Sequence, residues 1–531
     1  MGVKDHPHTH GVADPVLTRI VEQDKVPWYK KKNLRVLYLL LFPACMGGEL
    51  TSGFDSQNLN AVQIVDAWQE YFDPSDSLLG FIGASYSLGS IISLPFIPLI
   101  NDRFGRRWTI LLASIVMCIG AIIQGCANGA AMYIVARVLL GFGIPPVVVA
   151  GSSLIGELSY PKERPIMTSL FNVTWFVGSI LGAAITFGTM QLGTNWGWRI
   201  PCLLQMWPSA MQILFIFTIP ESPRFLISKD RHEEAHKILA KYHAEGDMES
   251  EFVRAEMAQI QSTLEIELEF SKRSWWEMVR APGMRRRTII ASFLGLFTQW
   301  SGNTLISYYL NELLEIIGIT DANAKGHINI ANTCWSLFNG VIISLLVRRF
   351  RRRVMYMTCA ISLLCVYVGW TITMERVLAT GNSAVANAVL FWIFAYSPCY
   401  NIGYNALTYT FLVELFPFAQ RARGITIFQF FGKCAGFFTT YVNPIGLNRI
   451  TWKWLLTYCC WLAFEIVFIY FLFPETGGRT LEELAFLFEG KDRADKVTMV
   501  VEKQIHHEDN MGVTTMEIDK EKGTTTKVET V

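Results

Sequence analysis

Charge is what this sequence has least of. Only 17% of its 531 residues are Asp, Glu, Lys or Arg, against 51% hydrophobic, and the mean hydropathy of +0.30 is too high for an ordinary soluble multidomain chain. Lys and Arg number 46 and Asp and Glu 45, a formal net charge of +1; there is no basic excess to attract nucleic acid and no acidic excess to mimic a polyanion. No CxxC pair occurs. The 11 cysteines are scattered, mostly inside apolar runs (Cys45, Cys118, Cys202, Cys359, Cys365, Cys434), and are read as small packing residues. A nucleophile elbow, a metal-spaced His and Cys set and a phosphate-cradling Gly loop are also missing, which argues against an enzyme. The first 33 residues lack a short apolar core with a cleavage site, so the first spanning helix is expected to direct insertion. His6, His8 and His10 in the HPHTH of that tail are read as incidental, and no metal or cofactor is expected.

Long apolar runs are what the chain does have. They fall near 36 to 56, 79 to 99, 108 to 126, 131 to 155, 166 to 188, 200 to 219, 288 to 310, 327 to 347, 354 to 373, 385 to 412, 424 to 444 and 453 to 473, each long enough to cross a bilayer. KKKNLR, DRFGRR, PKER, MRRR, RRFRRR and QRAR all fall in alternate loops, whereas SQNLNAVQIVDAWQEYFDPSDS holds four acids and no Lys or Arg. Basic loops stay on the cytoplasmic side, which predicts cytoplasmic termini.

Residues 220–287 interrupt the pattern with charged, helix-favouring sequence such as RHEEAHKILAKYHAEG. The expected organisation is a cytoplasmic tail (1–33), a six-helix half (34–219), a cytoplasmic helical linker (220–287), a second six-helix half (288–475) and a polar C-terminal tail (476–531). The halves echo one another: DRFGRR follows the second run and RRFRRR the eighth, GELSYPKERP the fourth and VELFPFAQRARG the tenth. Such a repeat points to alternating access.

GFD, DRFGRR, AR in the fourth run, ELSYPKER, PESPRFL, YY at 308 and 309, ELFPFAQRARG and PETGGRTLEEL together resemble the sugar porter branch of the major facilitator superfamily. TWFVGSILGAAITFGT, WRIPCLLQ and TQWSGN look like its fungal lactose permease and cellodextrin transporter group. The resemblance implies an all-α membrane protein with the major facilitator fold, twelve transmembrane helices in two halves, working as a monomer in the lipid of the plasma membrane.

Ionisable side chains inside a spanning helix cost at least about 2.5 kcal/mol, so each needs a partner or a task. Here they are Glu49, Asp55, Arg137, Lys433 and Glu465. Asp55 and Arg137 match the proton-linked pair of proton-coupled sugar porters. An aspartate beside an arginine stays ionised; separated from it in lipid, it takes up a proton. Glu49, six residues before Asp55, falls on a different helix face and its role is left open, and Lys433 and Glu465 are candidates either to pair or to snorkel to an interface. Asp102, Arg106 and Arg107, Glu157 with Arg164, Glu221 with Arg224, Glu414 with Arg421 and Arg423, and Glu475 with Arg479 lie beside helix ends, where such networks could latch the two halves. The second half departs from the first: Arg348 replaces Asp102, and Arg351 or Arg352 an expected glycine, so its latch is expected to be weaker or differently arranged.

A sugar site needs amides and hydroxyls for OH groups and aromatic faces for ring CH surfaces. The seventh run supplies Gln299, Trp300, Asn303, Thr304, Tyr308 and Tyr309, broken at Gly302 as a gating segment would be. Candidate partners are Asn172, Trp175, Asn332, Asn339, Tyr404, Asn405, Tyr409, Gln429 and Asn443. Against the hexose-porter pattern, Asn172, Thr298, Thr304 and Tyr404 are substituted positions, which would enlarge the cavity. The expected function is therefore proton-coupled import of a disaccharide, lactose- or cellobiose-like. A hexose or polyol porter, a facilitator, and a non-transporting sugar receptor are the alternatives.

Overall fold

The computed structural model describes residues 26–271, 275–280, 282–346, 350–381, 383–416 and 420–476. The histidines of the N-terminal tail, Arg348, Arg479 and the C-terminal tail lie outside the described residues, as does the side chain of Arg421. Among the described residues eight helices are long and apolar enough to cross a membrane, and Asp76–Ser93 with Phe96–Phe104, bent by 52°, makes a ninth. These are the first to sixth, ninth, tenth and twelfth expected spans. The seventh (Pro282–Trp300 and Asn303–Ile316), eighth (Ala322–Leu346) and eleventh (Arg421–Ile450) are also helical and of spanning length. They fall short in hydropathy because they carry much of the polar wall between the halves. The bundle is all-helical, in keeping with twelve spans.

Helices run past the apolar runs that announce them. The first span extends over Lys32–Val62, with a joint at Met46, and the eleventh continues to Ile450. Hydropathy loses the end of the first because Gln57, Asn58 and Asn60 are buried polar residues bonded to other helices, and that of the eleventh because it carries Asn448 and Arg449.

Leu39, Leu99, Leu214, Phe391 and Phe471 are 62 to 71% exposed, an apolar belt that only hydrocarbon would cover. Linker helices His232–His243 and Glu251–Ser271 pack beneath the first half: His243 bonds Glu256 at 2.7 Å and the Leu158 carbonyl at 3.2 Å.

The halves meet where the second span packs on the eleventh, the fifth on the eighth, and the first on the seventh. One end of the bundle carries the basic loops and is called here the basic end; the other is the far end. Hydrogen bonds between described residues cross the seam at the far end. Asn60 Nδ2 donates to Asn329 Oδ1 at 3.1 Å, Gln63 Nε2 to the Tyr308 carbonyl at 3.0 Å, and Asn311 Nδ2 to the Gln63 carbonyl at 3.0 Å. Gln191 Nε2 donates to Asn323 Oδ1 at 2.8 Å and Asn448 Nδ2 to Asp76 Oδ1 at 2.7 Å. An apolar cluster also crosses there, joining Leu59 and Val62 to Leu305 and Leu310. The far end is sealed.

Candidate functional site: a polar cavity between the halves

Close helix crossings set the site. A Cβ on Gly53 would lie 1.9 Å from the Trp175 carbonyl, and one on Gly178 2.0 Å from that of Leu50, so the first and fifth spans touch backbone to backbone. Gly89 and Gly141 do the same for the second and fourth, at 2.1 and 2.0 Å. These contacts bring Asp55, two residues past Gly53, against Arg137 of the fourth span. Nη1 and Nη2 of Arg137 reach Oδ1 and Oδ2 of Asp55 at 3.2 and 3.4 Å, and Nε donates to the Ile82 carbonyl at 2.9 Å. Gln205 Nε2 donates to Asp55 Oδ1 at 2.8 Å. Asp55 is 1% exposed and Arg137 0%, so this fork-to-fork pair is dry and satisfied.

A cavity of about 410 Å³ lies beside this pair, between the halves. Ser56, Tyr86 and Tyr308 line it, while Asp55 itself stands behind them. Nine of the fifteen candidate substrate residues are on its wall: Asn172, Trp175, Gln299, Asn303, Thr304, Tyr308, Asn332, Asn405 and Tyr409. The other six lie behind it. Tyr309 turns away at a kink (φ −129°) and donates to the Thr440 carbonyl at 2.6 Å. Asn339 is held by Asn401 and Ser397, Asn443 by Thr304, Trp454 and Tyr458, and Tyr404 donates to Glu465 at 2.7 Å. Trp300 is likewise spent on the Ala435 carbonyl, and Gln429 on the Tyr409 hydroxyl. Sequence cannot tell a cavity amide from one that ties helices together, because both sit on apolar helices at helical spacing.

The wall also holds residues not singled out from the sequence. Gln57, Ser179, Asn329, Thr333, Ser336 and Asn401 add amides and hydroxyls, and Tyr396, Tyr400 and Phe176 add rings. The seventh span breaks at Gly302, where φ is +92° and a Cβ would lie 1.6 Å from the Tyr367 hydroxyl, so only glycine fits. The break turns the amides on either side of it toward one space.

Glu49 and Lys433 also face the cavity, from the first and eleventh spans. Lys433 does not pair with Glu465; its ammonium lies 5.6 Å from the Tyr86 ring centre, and its electrostatic partner is Glu49 across the cavity. Glu465 is bonded instead to Ser301 and Tyr404.

At the basic end two brackets repeat. Arg106 Nη2 meets Glu157 at 3.2 Å, and Glu221 accepts from the backbone N–H groups of Arg106 and Arg107 at 3.2 Å each. In the second half Arg352 Nη2 meets Glu414 at 3.4 Å, and Glu475 accepts from Arg352 and Arg353 at 3.0 and 3.3 Å. The expectation of a different second latch is corrected: Gly105 caps its helix at φ +90°, whereas Arg351 does so at φ −70°, where any residue is comfortable. Each of these ion pairs joins helices of one half, so it braces that half. Burial raises the pKa of Glu221, and the N–H groups of Ser222, Arg107 and Arg106 oppose that. Asp102 is exposed, Arg164 reaches Glu256 at 3.9 Å from the linker side, Arg224 opens the linker helix Pro223–Ser228, and Arg423 lies over the Trp275 ring.

The sequence pattern of the family described as sugar (and other) transporter matches residues 40–488. The chain belongs to this family. It is similar to the high-affinity glucose transporter of Kluyveromyces lactis, 27% identical over 500 residues, 88% of either chain. It is 25% identical to the arabinose-proton symporter of Bacillus subtilis over 88% of this chain and 98% of the relative. In fold it matches the inward open conformation of the xylose transporter XylE from E. coli, at 21% identity and a TM-score of 0.70, covering 85% of this chain and all of that one. The protein is thus a multi-pass sugar transporter of the major facilitator superfamily, not an enzyme.

Proposed function

We propose that this sugar transporter couples uptake to protons, carrying one small sugar through the cavity between its halves. The observation that supports this reading is the buried Asp55–Arg137 pair directly behind the cavity wall. Ionised, Asp55 is held by Arg137 and Gln205; if the first and fourth spans part, a carboxylate left alone in lipid takes a proton. Ser56 and Tyr86 stand between the pair and the cavity, so a sugar that packs these side chains alters the route and the stability of that proton.

The basic loops assign the basic end to the cytoplasm. With the far end sealed, the conformation is then inward-facing, and the chain resides in the plasma membrane with both termini inside.

The substrate we infer is a monosaccharide. Relatives of this chain are named for glucose, hexoses and arabinose, and two of the four substitutions that favoured a larger sugar do not reach the cavity: Thr298 bonds the Gly295 carbonyl and Tyr404 bonds Glu465. The nearer affinity with lactose and cellodextrin permeases rests only on the short runs quoted above. Uptake of labelled glucose, xylose, arabinose, lactose and cellobiose by a transport-deficient cell, with and without a protonophore, tests both parts. Monosaccharide accumulation that the protonophore abolishes, and that Asp55→Asn loses while keeping exchange, is expected. Accumulation indifferent to the protonophore leaves a facilitator, and uptake of lactose or cellobiose alone restores the disaccharide.

A further inference from the structure

Two irregularities shape the C-terminal wall of the cavity: the break at Ser301 and Gly302 in the seventh span, and the π-helical turn Asn401–Asn405 in the tenth. One side chain touches both. Glu465, 0% exposed in the twelfth span, places Oε1 and Oε2 at 3.0 and 3.1 Å from Ser301 Oγ and accepts at Oε2 from the Tyr404 hydroxyl at 2.7 Å. Cavity residues flank each contact: Gln299, Asn303 and Thr304 beside Ser301, and Tyr400, Asn401 and Asn405 beside Tyr404.

No cation pairs with this carboxyl among the described residues. The titratable groups that face it are Tyr396, Tyr400 and Tyr404 of the tenth span and Cys359 and Tyr367 of the ninth, while the seventh contributes only the Ser301 hydroxyl. A carboxylate so placed lacks the partner that a buried charge needs, and neutralising it is the cheaper course. Hydrogen accounting agrees. Ser301 has one hydroxyl hydrogen, and its Oγ also bonds the Phe297 carbonyl one turn back. If that hydrogen goes to Phe297, the bond to Glu465 is made only when Glu465 is the donor. The contacts with Tyr404 and Ser301 are then satisfied in a chain: Tyr404 O–H to Oε2, the acid O–H on Oε1 to Ser301 Oγ, and Ser301 O–H to Phe297, which leaves a lone pair of the carboxyl for the neighbouring Trp461 indole N–H.

We propose that Glu465 is a protonated carboxyl that positions both sugar-facing segments of the C-terminal half by pinning the break in the seventh span to the π-helical turn of the tenth. It stands behind the cavity wall and does not touch the sugar. The proposal rests on the reading of the cavity as the sugar site.

The test uses the full-length chain in liposomes. Glu465→Gln keeps an N–H for Ser301 and an oxygen for Tyr404, and its KM for sugar should stay within about threefold of wild type; Glu465→Ala should raise KM by about tenfold or more. Infrared spectra at neutral pH should show a protonated-carboxyl band that Glu465→Gln removes and Asp55→Asn leaves. A Gln variant as impaired as the Ala variant, or a band unchanged by Glu465→Gln, overturns the proposal. If Glu465→Ala does not fold, the Gln variant and the band still decide. A wild-type protein that moves no sugar would refute the sugar site, and the band would still report the state of Glu465.

Discussion

Asn329 Oδ1 of the eighth span accepts from Asn60 Nδ2 of the first at 3.1 Å, and Gln57 Nε2 reaches the same oxygen. One amide oxygen thus holds two donors from the opposite half, and all three residues are less than a tenth exposed. Asn329→Ala strands both donors in the sealed state, at a cost of about 1–3 kcal/mol. The equilibrium should move toward the far-open form. A cysteine placed at Ser307 on the cavity wall should then react roughly tenfold or more faster with an impermeant thiol reagent added outside; an unchanged rate would mean that these bonds do not hold the far end shut.

Removing one member of a dry ion pair is costlier than removing both. Arg137→Gln alone leaves the buried Asp55 carboxyl without its guanidinium and should destabilise the detergent-solubilised protein by about 3–5 kcal/mol. The double variant Asp55→Asn with Arg137→Gln should recover much of that loss in thermal unfolding. Strictly additive losses would show that the two side chains act independently.

Glu49 and Lys433 balance one another's charge within the cavity. Closure at the basic end would dehydrate both, so Lys433→Met or Glu49→Gln alone should depress the transport rate more than the two together. A coupling of about 1 kcal/mol or more is expected from a double-mutant cycle on Vmax.

Gly302→Ala meets two obstacles, a φ of +92° and the Tyr367 hydroxyl 1.6 Å from the new Cβ. Tyr367→Phe removes only the second. The alanine variant should therefore lose about 1–3 kcal/mol of stability even in the Tyr367→Phe background. Full recovery there would assign the glycine to space alone.

The two basic-end brackets have nearly the same geometry. Arg106→Ala and Arg352→Ala should weaken their own halves by similar amounts, about 0.5–1 kcal/mol each for such partly exposed pairs. Limited proteolysis of the two halves would reveal a markedly weaker second bracket.

Sequence reading of the site succeeds where geometry is local. The break at Gly302 was legible because glycine among amides in a spanning helix has few other uses. Arg351 misled for the opposite reason: a residue standing in a glycine's place says nothing about whether the backbone there still needs a positive φ. Lys433 and Glu465 looked like a pair because each wanted a partner, and helix rotation gave them different ones.

The alternation of apolar runs with basic loops, the two-fold echo of motifs and the few charges stranded in hydrocarbon are properties of the chain read in one dimension. They were enough for the helices, the halves, the family and the Asp55–Arg137 candidates, because lipid forces every backbone bond to close locally. Which amides face the cavity, which end is sealed and which half owns each bracket depend on how helices rotate and cross. That is decided where glycines let backbones touch, such as Gly53 against Trp175 and Gly89 against Val138, and such contacts exist only once the bundle has formed.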